Sequence, residues 1–221
     1  MESPDFIQSI IIAFQEGGIW MIPIAIAMAT AIAFSLERFI RLFFRYSVDG
    51  RSFMFEIQKY VLNNDLDGAV RVCNGAGQAV LPKVIKAGLQ RATKSHIQIQ
   101  NAIDASSLEM IGKLEKRIPF LALIANIATL LGLLGTISGL IKSFAAVALA
   151  DPAQRQAILA AGISEAMNAT AFGLITAIFT MICHSILSNK ANTLLEEIDE
   201  FGVKLLDLLT AGEKIEVKSE E

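Results

Sequence analysis

The chain is poor in the residues that build a disulfide or metal framework. Of its 221 residues only two are cysteines, Cys73 and Cys183, far apart and in segments of very different polarity. That excludes a disulfide scaffold and predicts no metal centre. Net charge is small, −3, from 19 basic and 22 acidic residues, which points neither to nucleic acid nor to an acidic partner. The first 17 residues hold no Lys or Arg but include Glu2, Asp5 and Glu16. The basic start of a signal peptide is therefore missing. No alternating strand pattern and no internal repeat appear. There is no phosphate-binding loop, since Gly75-Ala76-Gly77 is too short for one, and no nucleophile–base set. The sequence predicts a protein that is not an enzyme and carries no cofactor.

What is abundant is apolar residue, 53% of the chain, and it comes in blocks. Three runs contain no Asp, Glu, Lys or Arg: 17–36, 118–141 and 166–189. Crossing a hydrocarbon core takes about 20 such residues, so each run is a candidate membrane helix. The expected architecture is all-α, with three transmembrane helices and long helices extending into a helical cytoplasmic domain. Basic residues set the orientation: thirteen lie in 37–117, two in 142–165 and four after residue 189. The positive-inside rule puts 37–117 and the C-terminal tail in the cytoplasm.

This gives seven segments: an outside interfacial helix (1–16, with the apolar run 6–14), transmembrane helix one (17–36), a cytoplasmic helical domain (37–117), transmembrane helix two (118–148), a short outside loop (149–161), transmembrane helix three (162–189), and a cytoplasmic helix and tail (190–221). Within the cytoplasmic part, Phe53, Ile57, Tyr60 and Val61 recur at helical spacing, and Asp65 is a candidate helix cap. Val84, Ile85 and Leu89, then Ile97, Ile103, Leu108 and Ile111, predict long amphipathic helices, the last running unbroken into span two. Leu194, Leu195, Ile198, Phe201, Leu205 and Leu208 mark an amphipathic helix over 193–209.

Span two reads TLLGLLGTISGLI from Thr129. Span three opens GISEAMNATAFGL from Gly162. In this order and separation, after a basic segment of this length, the two stretches resemble the signatures of the MotA/TolQ/ExbB proton-channel family, ExbB most closely and TolQ second. The segment order matches across nearly the whole chain. The resemblance implies a homo-pentamer around a central pore. It also implies two copies of a single-span ExbD- or TolR-like partner carrying a membrane Asp, and a TonB- or TolA-like protein that receives the work. The place would be the bacterial inner membrane. One departure is Thr129, where many relatives carry proline.

The residues themselves agree with that task. Gly135 with Gly139, and Gly132 with Thr136, are small-xxx-small pairs that let helices approach closely in lipid, with Gly173 their counterpart in span three. Thr129, Thr136 and Ser143 recur every seven residues, predicting one shared face, as do Thr176, Thr180 and His184 every four. The resemblance singles out Thr136 and Thr170 as pore-lining hydroxyls around the partner's acid, with Glu165 as a proton-path carboxylate and Thr129, Thr176 and Thr180 as further polar candidates. A hydroxyl both donates and accepts, so it can relay near a carboxyl without ionising. The plainer reading is helix packing for the glycines, backbone hydrogen bonding for the hydroxyls, an outer-surface anchor for Glu165 and an interfacial position for His184. No Asp or Glu sits at the centre of any span. A chain that moved protons alone would be expected to carry one.

Overall fold

The computed structural model describes residues 17–219, with side chains through 210; the expected interfacial run 6–14 lies outside them. Seven α-helices follow in order: α1 Met21–Ile40, α2 Gly50–Leu62, α3 Leu66–Gly75, α4 Val80–Leu89, α5 His96–Glu115, α6 Ile118–Leu149 and α7 Arg155–Ser219. A π-helical turn, Arg41–Arg45, follows α1. The described residues divide into two units, 17–36 with 117–185 and 37–116 with 186–219. Three helical stretches are long and apolar enough to cross a membrane.

The first unit is built inside out. On α6 the buried stripe is Leu121, Ala125, Ala128, Gly132, Gly135, Gly139 and Ser143, at steps of three and four. On α7 it is Ala166, Ala169, Thr176, Ala177 and Thr180. Large side chains point outward: Leu130, Leu133, Ile137 and Ile141 from α6, Ile175, Ile178 and Met181 from α7. A water-soluble bundle does the reverse. With lipid outside, burying leucine gains nothing, and close packing of small residues holds the helices together.

The second unit has an ordinary core of large apolar side chains. Phe53, Ile57, Leu81, Val84, Ile85, Leu89, Ile103, Leu114, Leu194, Ile198, Phe201 and Leu205 are all buried. A β-carbon added at Gly88 would lie 2.7 Å from Leu205 and 3.0 Å from Ile103, so α4, α5 and α7 meet there. The caps are explicit. Asp49 accepts from the amides of Arg51 and Ser52 at the start of α2. Its hydrogen bonds to Ser52, side chain first, hold its carboxyl below the usual carboxylate range. Asp65 accepts from Gly68 N at 2.8 Å and opens α3, with Asn64 at φ 57 making the turn before it. Asp65→Ala is expected to lower unfolding stability by about 1 kcal/mol, and Asp65→Asn by far less, in a thermal or denaturant melt.

Cys73 is buried among these helices, and burial pushes its thiol up to about 11. At pH 8 only about one molecule in a thousand would carry the thiolate. In a Cys183→Ser background, Cys73 should therefore resist iodoacetamide at pH 8 in the native protein and react fully once unfolded. Rapid native labelling would contradict the burial.

Four expectations need correction. α5 does not run unbroken into α6: it ends at Glu115, and Arg117 takes a left-handed φ of 67. Pro119 is the reason. A proline ring in a helix clashes with the carbonyl four residues back, here Glu115, so the chain must stop and restart. Second, span three and the amphipathic helix over 193–209 are one element, since α7 runs without interruption from Arg155 to Ser219. Third, Ile103 is buried as expected and Ile111 half-buried, but Ile97 and Leu108 are exposed, and Ile99, Met110 and Leu114 complete the buried face of α5. Fourth, Thr129, Thr136 and Ser143 do not share an environment: Thr129 is exposed, Thr136 half-buried and Ser143 buried. A straight helix drifts about 20° per heptad, so two heptads turn the residue through a large part of a face.

Candidate functional site: the glycine–threonine seam of α6 and α7

Both signature stretches fall on one seam in the first unit. A β-carbon at Gly173 would stand 2.8 Å from the Ala128 carbonyl oxygen and 2.9 Å from Gly132 Cα. One at Gly132 would meet Thr170 Cα at 3.2 Å, one at Gly135 would meet Ala169 Cβ at 2.7 Å, and one at Gly139 would meet Ala166 Cβ at 2.9 Å. One at Gly162 would collide with the Ser143 hydroxyl. Backbones this close leave no room for any side chain beyond hydrogen or methyl. The glycines singled out from the sequence are thus contact points, and so are three residues that sequence reasoning passed over. Gly162, Ala166 and Ala169 continue to Gly173 at steps of four, three and four, a signal that was present in the sequence.

Thr170 is tied into this seam. Its hydroxyl donates across the two helices to the Gly132 carbonyl at 2.8 Å. Thr136, one turn beyond Gly132, is half-buried and donates to Leu133 O in its own helix at 2.6 Å. Thr129 is exposed and donates to Ala125 O at 3.1 Å. Thr176 and Thr180 are fully buried. Thr180 donates to Thr176 O at 2.7 Å, and the Thr176 hydroxyl has no hydrogen-bond partner among the described residues. His184, expected on their face, is half-buried. Four-residue steps advance about 40° around a helix, which carries it off the buried stripe.

Glu165 is placed apart from the two threonines. Its side chain packs against Gly18, which adopts φ 69 and has no space for a β-carbon there. With Lys142, Ser143, Ser164 and Gly162 it lines an open cavity of about 560 Å³ between α6 and α7. The structure therefore joins Thr170 to Gly132 and Gly173, leaves Thr136 next along the seam, and puts Glu165 in the groove at the end where Gly139 meets Ala166.

Sequence reasoning also missed Arg38. It is fully buried in the second unit, and its guanidinium donates to Lys113 O at 3.3 and 3.4 Å, near the C-terminus of α5. A cation there meets the negative end of the helix dipole. Nothing in the sequence set this arginine apart from its neighbours. Among the described residues no group of His, Cys, Asp and Glu is arranged to hold a metal ion.

Small residues inside, large aliphatics outside and hydroxyls along the seam define a membrane protein with three helices long and apolar enough to span, which meet in glycine-lined contact. A family model, the MotA/TolQ/ExbB proton channel family, matches residues 76–200, more than half of the chain, and the chain belongs to that family. The Tol-Pal system protein TolQ of Haemophilus influenzae is 38% identical over 110 residues, covering 47% of this chain and 48% of that one. The biopolymer transport protein ExbB of Salmonella typhimurium is 31% identical over 87 residues, covering 39% of this chain and 35% of that one. This chain thus spans about half the length of the TolQ relative, or less for ExbB. The solved structure of C. jejuni MotAB has the same fold, with TM-score 0.63 at 17% identity over 85% of this chain and 73% of that one.

Proposed function

We propose that this chain is the channel-forming stator subunit of an inner-membrane motor driven by the proton-motive force. The carrying observation is the seam itself. Hydroxyls from both signature stretches lie on adjacent, tightly packed helices, yet the spans hold no central carboxylate. A proton path through such a wall needs an acid from another chain. The reading therefore includes a pentamer around a pore that holds two copies of a single-span partner bearing a membrane Asp. Thr136 and Thr170 then face that acid, with Glu165 further along the path. Orientation follows the basic residues, with the N-terminus outside and 37–117 and the tail in the cytoplasm. Each proton crossing releases about 2.3 kcal/mol per 100 mV, enough to drive a conformational step.

The work would pass to a TonB- or TolA-like protein. An ExbB-type role energises outer-membrane uptake, and a TolQ-type role serves envelope maintenance or a gliding motor. The higher identity to TolQ, 38% against 31% to ExbB, favours the second. The test is proton flux. The chain and its single-span partner, reconstituted together in vesicles under an imposed potential, should acidify a trapped pH dye, and the chain alone should not. A silent pair would move the chain to the rival class, a non-conducting membrane scaffold.

A further inference from the structure

The second unit packs as a water-soluble domain does, with large apolar side chains inside. Outside the residues that adjoin the uncharged runs, five large apolar side chains of this unit are nevertheless 61–75% exposed: Phe55, Leu62, Ile97, Leu108 and Val203. They fall on two surfaces. On α2, Phe55 and Leu62 flank the exposed Lys59 at steps of four and three, which sets all three on one helix face. That face points away from the side of α2 that buries Phe53, Met54 and Ile57. The result is a ridge about 10 Å long with a cation at its middle.

The other surface is a groove. α5 and α7 meet closely where a β-carbon at Gly202 would stand 3.1 Å from Ile103 Cγ2. Beside this contact lies an open cavity of about 190 Å³, with buried Ile103 and Ile198 as its floor and exposed Asp104 and Asp199 on its two rims. No lysine or arginine lines it among the described residues. Val203 extends the α7 rim. Ile97, seven residues before Asp104, and Leu108, four after it, extend the α5 rim over about 16 Å. Neither Lys59 nor the two aspartates forms a salt bridge among the described residues.

Ridge and groove lie on different sides of the unit. α2 starts against Phe201 of α7, since a β-carbon at Gly50 would stand 2.6 Å from its ring. Asp199 and Val203, two residues either side of Phe201, are turned about 160° from it round the helix. One copy therefore does not fill its own groove. A second copy can: its ridge sets large apolar side chains against the apolar floor and Lys59 between two aspartates. Exposed apolar patches of this kind mark protein contacts, and opposite charges at the rim fix the register. Because ridge and groove are different patches, the contact is head-to-tail. Such contacts build rings, where a two-fold dimer would need one self-complementary patch.

We propose that the Phe55–Lys59–Leu62 ridge of one copy docks in the Asp104–Asp199 groove of the next copy of this chain. The proposal rests on the proposed function only for the assembly of several copies. It needs neither a single-span partner nor conduction, so silent vesicles would leave it standing.

Cross-linking the full chain in membranes, expressed without a partner, tests it. In a Cys183→Ser background, with Cys73 buried, Leu62→Cys and Val203→Cys treated with a short bis-maleimide should give bands at whole multiples of the chain mass. Leu62→Cys with Glu109→Cys, exposed beside Lys113 and outside the groove lining, should not. Lys59→Glu should cut the yield of the first pair roughly threefold, and adding Asp104→Lys and Asp199→Lys should restore it. Four results overturn the proposal: no multiples from the first pair, equal yield from the Glu109 control, cross-links within one chain or to a different protein alone, or no recovery on the charge swap. Carbodiimide on wild type needs no variant. It should join Lys59 of one copy to Asp104 or Asp199 of another, and joining of Lys59 only to other carboxylates overturns the pairing.

Discussion

Gly173→Val is expected to break the contact between α6 and α7 and to destabilise the protein by several kcal/mol. A β-carbon at this position meets backbone, the Ala128 carbonyl at 2.8 Å and Gly132 Cα at 2.9 Å, and backbone cannot rotate away as a side chain can. Overpacking a well-filled core costs about 1–3 kcal/mol even when side chains can yield. Here the helices themselves must separate, and the Thr170–Gly132 hydrogen bond is lost with them. Thermal unfolding in detergent should show a marked fall in Tm. Gly112 supplies the contrast. It lies inside α5, and an added β-carbon there meets nothing within 4 Å. Gly112→Ala should stabilise by about 0.5–1 kcal/mol through the restricted unfolded chain. Equal tolerance of both changes would mean that the seam is not close-packed.

The second large effect is on function with little effect on folding. Thr136→Val removes only a hydrogen bond to the residue's own helix, so stability should barely move. Thr170→Val removes the bond to Gly132 O, whose net worth between membrane helices is about 0.6 kcal/mol. Valine matches threonine in shape, so the seam stays filled. The double variant is therefore expected to assemble, melt within a few degrees of wild type and carry no proton flux. Thr170→Ser, which keeps the donor, should restore flux in the Thr136 wild-type background. Full flux in the double valine variant would remove both threonines from the proton path and leave them as packing residues.

How far these features were legible from sequence follows from what each depends on. The three spans could be read because a long uncharged apolar run has few alternatives to a membrane helix. The close contacts at Gly132, Gly135, Gly139 and Gly173 could be read because only the smallest residues permit them. The restart at Arg117 was legible in principle from Pro119, whose ring reaches back to Glu115. The faces of α5 were harder. Its apolar residues are spread around the helix, so the sequence could not rank Ile97 and Leu108 below Ile99 and Met110. Arg38 was invisible, because its burial depends on a carbonyl 75 positions away in sequence. Glu165 was singled out by its motif. Its packing against Gly18 was not, since it depends on a left-handed backbone brought in from before α1.

The most direct measurement of the central claim is the mass of the intact complex. The chain would be expressed with a candidate single-span partner, extracted in mild detergent and weighed by native mass spectrometry. Five copies of this chain with two copies of a small partner that carries a membrane Asp is the predicted result. A monomer or dimer of this chain with no such partner would contradict the motor and leave a scaffold in its place.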